Sequence, residues 1–197
     1  PEPEKEVFML TPEETDARIL NERLQWAERE GAFLILTAPA ALLKAAEARL
    51  LARFDLERRD LNLIFLRAMH NQAIKAKADW NVVLEAGNAA HTTNDWRNLM
   101  ILISRSMSEI DQDLSHSDKT LLLVNPELLI RFGRIDLLER LREKVWSPSI
   151  GLHGVWALMK SDEPESTSSL DEASLLSIFR NQLTHIPECW VTEDRRS

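Results

Sequence analysis

Glu85 and Asn125 each close an apolar run, the first ending Val82-Val83-Leu84 and the second Leu122-Leu123-Val124. If those runs are strands of a parallel sheet, both side chains stand at strand ends, where such sheets bind ligands. A carboxylate there holds magnesium and activates water, and a carboxamide senses phosphate. Arg97 or Arg134 would add a cation for nucleotide held by another domain or subunit, because an arginine supplied in trans stabilises transition-state charge. This chemistry needs a phosphate cradle of small residues whose backbone N–H groups converge on the anion. The first strong apolar run, Phe33-Leu34-Ile35-Leu36, leads instead into Thr37-Ala38-Pro39-Ala40-Ala41, with no glycine and no Lys-Ser/Thr pair. Magnesium takes much of its ligand set from substrate phosphates. Without the cradle, Glu85 reads as a strand-end charge and Asn125 as a cap before Pro126.

Other chemistries are as thinly represented. The five histidines (His70, His91, His116, His153 and His185) have no metal-ligand spacing with one another or with Cys189. Ser104, Ser106 and Ser108 lack the glycines of a nucleophile elbow. Asp95-Trp96-Arg97 follows a polar loop at the end of the second apolar run, and Trp with Arg is a frequent interface anchor. These three residues are the candidate partner-binding site; Glu85, Asn125 and Arg134 are the candidates if nucleotide is served in trans. No catalytic residue, metal or cofactor is expected.

The elements that must position these side chains are legible as alternating strands and helices. Thr11-Pro12-Glu13-Glu14 is a capping box with proline in the first turn, and Gly31 stops the helix. The run at 33–36 predicts a strand buried on both faces. Pro39 opens a helix with Leu42, Ala46, Leu50 and Phe54 on one stripe. A weak strand at 56–61, a helix over 61–78 begun by Asp60, and a strand at 81–85 follow. Leu99, Leu102, Ile103, Met107, Ile110 and Leu114 mark an amphipathic helix, and 115–119 reads as a loop. Strands are expected at 120–124 and 154–159, with helices between them interrupted at Gly133. An acidic loop covers 161–169, and 175–179 is expected as a short edge strand. The fold class is therefore α/β, a mostly parallel sheet of about five strands with helices on both faces. Its order resembles RecA-like and AAA-type ATPase cores lacking a P-loop.

Several segments resemble a domain of bacterial phage-exclusion systems of the BREX type, in particular the type 2 (Pgl) branch. They are Ala32-Phe33-Leu34-Ile35-Leu36-Thr37, Asp79-Trp80-Asn81-Val82-Val83-Leu84 and Asp95-Trp96-Arg97-Asn98-Leu99. Further on come Asp136-Leu137-Leu138-Glu139, Gly154-Val155-Trp156-Ala157-Leu158 and Ile186-Pro187-Glu188-Cys189-Trp190-Val191. The resemblance implies a C-terminal module of a large multidomain protein whose kinase or ATPase lies elsewhere. It also implies partners among the other domains or subunits of a phage-defence complex. Two departures fall near the end: Glu172 replaces an expected turn glycine, and 175–179 lacks an expected proline.

Composition sets the outer bounds. The chain has 197 residues, a net charge of −8 and one cysteine. One cysteine permits no internal disulfide and fits a reducing, cytoplasmic setting. Phosphate binding depends on Lys and Arg, so DNA contact is not expected of so acidic a chain. The stripe Arg131, Arg134, Arg140, Arg142 and Lys144 is interleaved with Glu139 and Glu143 and reads as a solvated face. No apolar run is long enough to cross a membrane. Residues 1–10 read as a charged linker leading into a single domain at 11–197. The reading is a non-catalytic interaction or scaffold domain, the alternative a degenerate nucleotide-binding module supplying residues in trans.

Overall fold

Phe33, Leu34, Ile35 and Leu36 are all buried, which a strand achieves only with both faces covered. The computed structural model describes residues 11–147, 151–161 and 177–192. Along the chain run α1 (Pro12–Glu30), β1 (Phe33–Ala38), α2 (Leu43–Arg53), β2 (Leu56–Asp60) and α3 (Leu61–Lys75). Then come α4 (Trp80–Ala86), α5 (Asn94–Asp113), β3 (Ser117–Val124), α6 (Glu127–Arg131) and α7 (Asp136–Val145). The series closes with β4 (Leu152–Lys160), β5 (Leu183–His185) and α8 (Glu188–Thr192).

The five strands form one parallel sheet in the order β2-β3-β4-β1-β5. Read from the other edge this is 5-1-4-3-2, the RecA-like arrangement expected from sequence. Alternation along β1 divides the core. Phe33 and Ile35 join Val155 and Ala157 under α3, α5 and α7, while Leu34 and Leu36 join Trp156 and Leu158 under α1, α2 and α8. Trp156 on the central strand is fully buried and meets Phe54 edge-on at 5.3 Å.

Local signals at the start behave as read. Thr11 Oγ1 accepts from the Glu14 N–H at 3.2 Å, and the Thr11 N–H donates to the Glu14 carboxylate at 2.8 Å. Gly31 ends α1 at φ +73°, and a Cβ there would lie 2.2 Å from the His153 carbonyl oxygen. Only glycine lets the chain turn this close to β4.

Four expectations are corrected. Residues 81–85, expected as a strand, lie in helix α4. Asp79 caps it, its Oδ1 accepting from the Asn81 N–H at 2.8 Å, and Val83 N–H closes a helical bond to the Asp79 carbonyl at 3.1 Å. β2 already occupies the place beside β3, and α4 packs outside, against α3 and α5. The fifth strand is instead Leu183–His185, paired with β1. In the segment expected as an edge strand, Ser177 and Ile178 are helical and Phe179 turns inward to pack on Phe33 at 5.3 Å. Ser117–Lys119, expected in a loop, already belongs to β3. The linker at 1–10, the acidic stretch at 162–169, Glu172 and residues 175–176 lie outside the described residues.

Candidate functional site

The carboxyl ends of the strands are where a parallel sheet binds ligands, so the residues there decide whether the ATPase-like order carries ATPase-like chemistry. β1 ends at Ala38 and runs through Pro39 into a tight turn, Ala40–Leu42, before α2. Pro39 has no N–H, and the Leu42 N–H is spent on the Pro39 carbonyl at 2.8 Å. β3 ends at Val124, and Asn125 follows in the left-handed region at φ +54°. Its amide Nδ2 donates to Asp60 Oδ2 at 2.7 Å. The other oxygen of Asp60 accepts the Leu63 N–H at 3.2 Å and caps α3. Asn62 Nδ2 donates to Glu127 at 2.9 Å while its Oδ1 accepts the Leu128 N–H at 3.0 Å. Arg58 donates to Glu47 at 2.5 Å and lies 3.6 Å from Asp60. The Glu47 hydrogen bond raises the guanidinium pKa above its ordinary value against the opposing effect of burial. The polar groups at this edge bind one another. Among the described residues, a cleft of about 50 Å³ lies between Leu43, Asn125, Pro126 and Lys160. Ligand pockets typically hold about 300–1,000 Å³.

The three residues proposed to serve nucleotide are not brought together. Glu85 is an exposed residue of α4, not a strand end. Asn125, expected on a fourth strand, stands at the tip of the third, where this fold usually places a carboxylate. Arg134 is tied by Nε and Nη2 to the Asp136 carboxylate at 3.0 and 3.1 Å, and by Nη1 to Ser104 at 3.2 Å. Burial pushes the Asp136 carboxyl up, but hydrogen bonds from Arg134 and Arg140 outweigh it and hold the group below its ordinary pKa.

The basic stripe is spent in the same way. Arg131 donates to the Gly87 carbonyl at 2.7 Å, and Arg140 and Lys144 each reach carboxylates at 2.6 Å. Arg142 lies over the rings of Trp146 and Phe179. Lys144 Nζ also donates to Ser115 Oγ at 2.6 Å, a pairing that could suggest a Ser–Lys dyad. Its second contact, 2.6 Å to Asp111, makes it an ion pair joining α5 to α7. Among the described residues no group of three or more His, Cys, Asp or Glu could hold a metal ion, and no helix is long and apolar enough to cross a membrane.

Asp95, Trp96 and Arg97 open α5. Thr93 caps that helix, accepting the Trp96 N–H at 3.2 Å. Trp96 is half-buried, stacked on His91 at 4.0 Å and tilted on Phe132 at 5.9 Å, so it is largely a packing residue. Arg97 is exposed. Asp95 lies on a feature absent from the sequence-based expectations, a groove of about 400 Å³ between α3, α4 and α5. Buried Val83, Ala86, Leu99 and Leu102 line it, together with exposed Val82 and Ile101. A second, open cleft of about 530 Å³ continues it between Asn71–Lys75 and Arg105–Gln112, and Gln72 and Arg105 belong to both. A signal was present in the sequence, since Ile101 breaks the polar face of α5 and Val82-Val83-Leu84 puts three apolar residues in a row on a short helix.

Comparison with family models, with curated proteins and with solved structures finds no match for this chain.

Proposed function

We propose that the chain is a non-catalytic interaction module: an ATPase-like sheet without a phosphate site, serving as a scaffold in a multidomain bacterial phage-defence assembly of the BREX type. The observation that carries the reading is the contrast between two surfaces. The strand tips are closed by Asn125–Asp60 and Asn62–Glu127 hydrogen bonds, whereas the α3–α4–α5 groove is open and apolar. A fold keeps its architecture after its site chemistry is lost. The phage-defence assignment rests on the resemblance of the segments around Asp79-Trp80, Asp95-Trp96-Arg97-Asn98 and Gly154-Val155-Trp156. In that setting the chain works in the cytoplasm, against other domains or subunits of the complex. Two measurements test the reading. ATP and GTP with magnesium should give no binding heat in calorimetry. In a host carrying the defence system, a tagged chain should recover defence components, and loss of Val82, Leu84 and Ile101 side chains should reduce that recovery. Saturable nucleotide binding, or recovery of no defence component, would overturn it.

A further inference from the structure

We infer that the α3–α4–α5 groove receives an amphipathic α-helix of a partner protein, lying antiparallel to α5 with its basic C-terminal end over Asp79 and Asp95. The inference rests on the reading of the chain as an interaction module and names what that module holds.

Three observations converge on a helix. Helix α4 is apolar on more than its inward side: Val83 and Ala86 face inward, Val82 and Leu84 remain 57% and 48% exposed, and Asn81 and Glu85 form its polar strip. Exposed apolar Val82 beside the buried side chains of the groove leaves apolar surface for an occupant to cover. Ile101 on α5, 52% exposed, and Ile74 on α3, 62% exposed, extend the apolar surface along both walls. The walls are themselves helices whose backbone groups are largely paired internally, so an occupant finds no sheet edge and must satisfy its own backbone, as a helix does. From Asp95 to Gln112 the trough follows about 25 Å of α5, the length of four to five helical turns.

Charge sets the direction. Asp79 and Asp95 stand at one end of the trough; Arg105 stands near its middle, where the two clefts meet, and beyond it Lys75 is paired with Glu109. Neither Asp95 nor Arg105 has a side-chain hydrogen bond or ion pair among the described residues, in contrast to Arg131, Arg134 and Arg140. Helices favour acidic residues in the first turn and basic residues in the last. An occupant with that ordinary polarity matches the groove when its C-terminal end lies over Asp79 and Asp95, and acidic residues toward its N-terminal side then meet Arg105. Two copies paired through their α5 helices fit less well. The exposed strip of α5 reads Asn98, Ile101, Arg105, Ser108, Gln112, with one apolar side chain to offer a twin groove.

The test uses two synthetic peptides of identical composition, each with leucines at i, i+3, i+4 and i+7. One has glutamates in its first turn and lysines in its last; the other has them reversed. Each is titrated into the isotopically labelled chain and followed by NMR. The first should bind about ten-fold more tightly than the second, a difference of about 1.4 kcal/mol. Its shifts should map to α4 and α5. Ile101→Glu should abolish binding with the melting curve unchanged, and the pair Asp95→Lys with Arg105→Glu should reverse the preference. Absence of binding, equal binding of the two peptides, or shifts elsewhere would overturn the inference. So would self-association of the chain that Ile101→Glu disrupts, since a second copy would then be the cover. If defence components are still recovered when Ile101→Glu is introduced, this inference fails and the interaction-module reading stands; nucleotide binding would do the reverse.

Discussion

The strand tips and the α3–α4–α5 groove are both clefts edged by charge, yet they have opposite chemistry. At the tips, Asn125 bonds Asp60 at 2.7 Å and Asn62 bonds Glu127 at 2.9 Å, Asp60 and Asn62 also accept the Leu63 and Leu128 N–H groups at 3.2 and 3.0 Å, and the cleft beside them among the described residues holds about 50 Å³. In the groove, Asp95 and Arg105 make no such bonds among the described residues, and about 400 Å³ stays open over an apolar floor. Polar groups that bond one another have their hydrogen bonding met within the chain, and breaking such bonds has a cost. Exposed apolar residues beside unpaired charge have the composition of an interface. Among the described residues, the edge where a parallel sheet ordinarily binds its ligand is the one whose polar groups are taken up by one another.

That comparison can be broken from either side. The largest effect should come from the residue beneath both faces' common sheet: Trp156→Ala should destabilise the chain by about 3–5 kcal/mol in denaturant unfolding. A loss below about 1 kcal/mol would mean that the sheet does not hold the two regions in one cooperative unit. Next, Asp60→Ala removes the α3 cap and the acceptor of Asn125 together, and should cost about 2 kcal/mol. If that change cost nothing, the tips would not be closed by their own bonds.

The two arginines sharpen the contrast. Arg134→Ala should cost about 1 kcal/mol, since it removes two hydrogen bonds to Asp136, which keeps only Arg140 among the described residues, and the bond to Ser104. Asp136 adds a pH signature. Its carboxyl is depressed in the folded chain, so its contribution is present above the unfolded aspartate pKa and is lost as pH falls through the folded value. Asp136→Asn should therefore flatten the acid limb of the stability profile below about pH 4. The smallest effects belong to the groove: Arg105→Ala and Ile101→Ser should each change stability by no more than about 0.5 kcal/mol. A larger loss would make the groove a structural element like the tips.

Much of the sheet was legible because its strands are buried on both faces and read as continuous apolar runs: Phe33–Leu36, Leu121–Val124 and Val155–Met159. The same rule misread α4. Val82-Val83-Leu84 is an apolar run too, but its outer residues are exposed, and only the Asp79 cap distinguishes it from a strand. β5 escaped because three residues, Leu183–His185, carry no period, and its place beside β1 comes from long-range pairing. Of the candidate site, Asp95 was placed on the groove for a different reason from the one that selected it. Trp96, chosen as an anchor, is held by His91 and Phe132. Glu85 was selected only because α4 was taken for a strand. Pairing such as Asn125 with Asp60 spans two strand ends far apart in sequence, and no local pattern announces it.

The claim at the centre of this account is that the strand tips are closed to nucleotide. The most direct measurement is an NMR titration of the labelled chain with magnesium-ATP, following the amides of Ala40, Ala41, Asn125 and Lys160. The account predicts no saturable shift at any of them. Saturable shifts confined to those four positions would contradict it and restore the strand tips as a working nucleotide site.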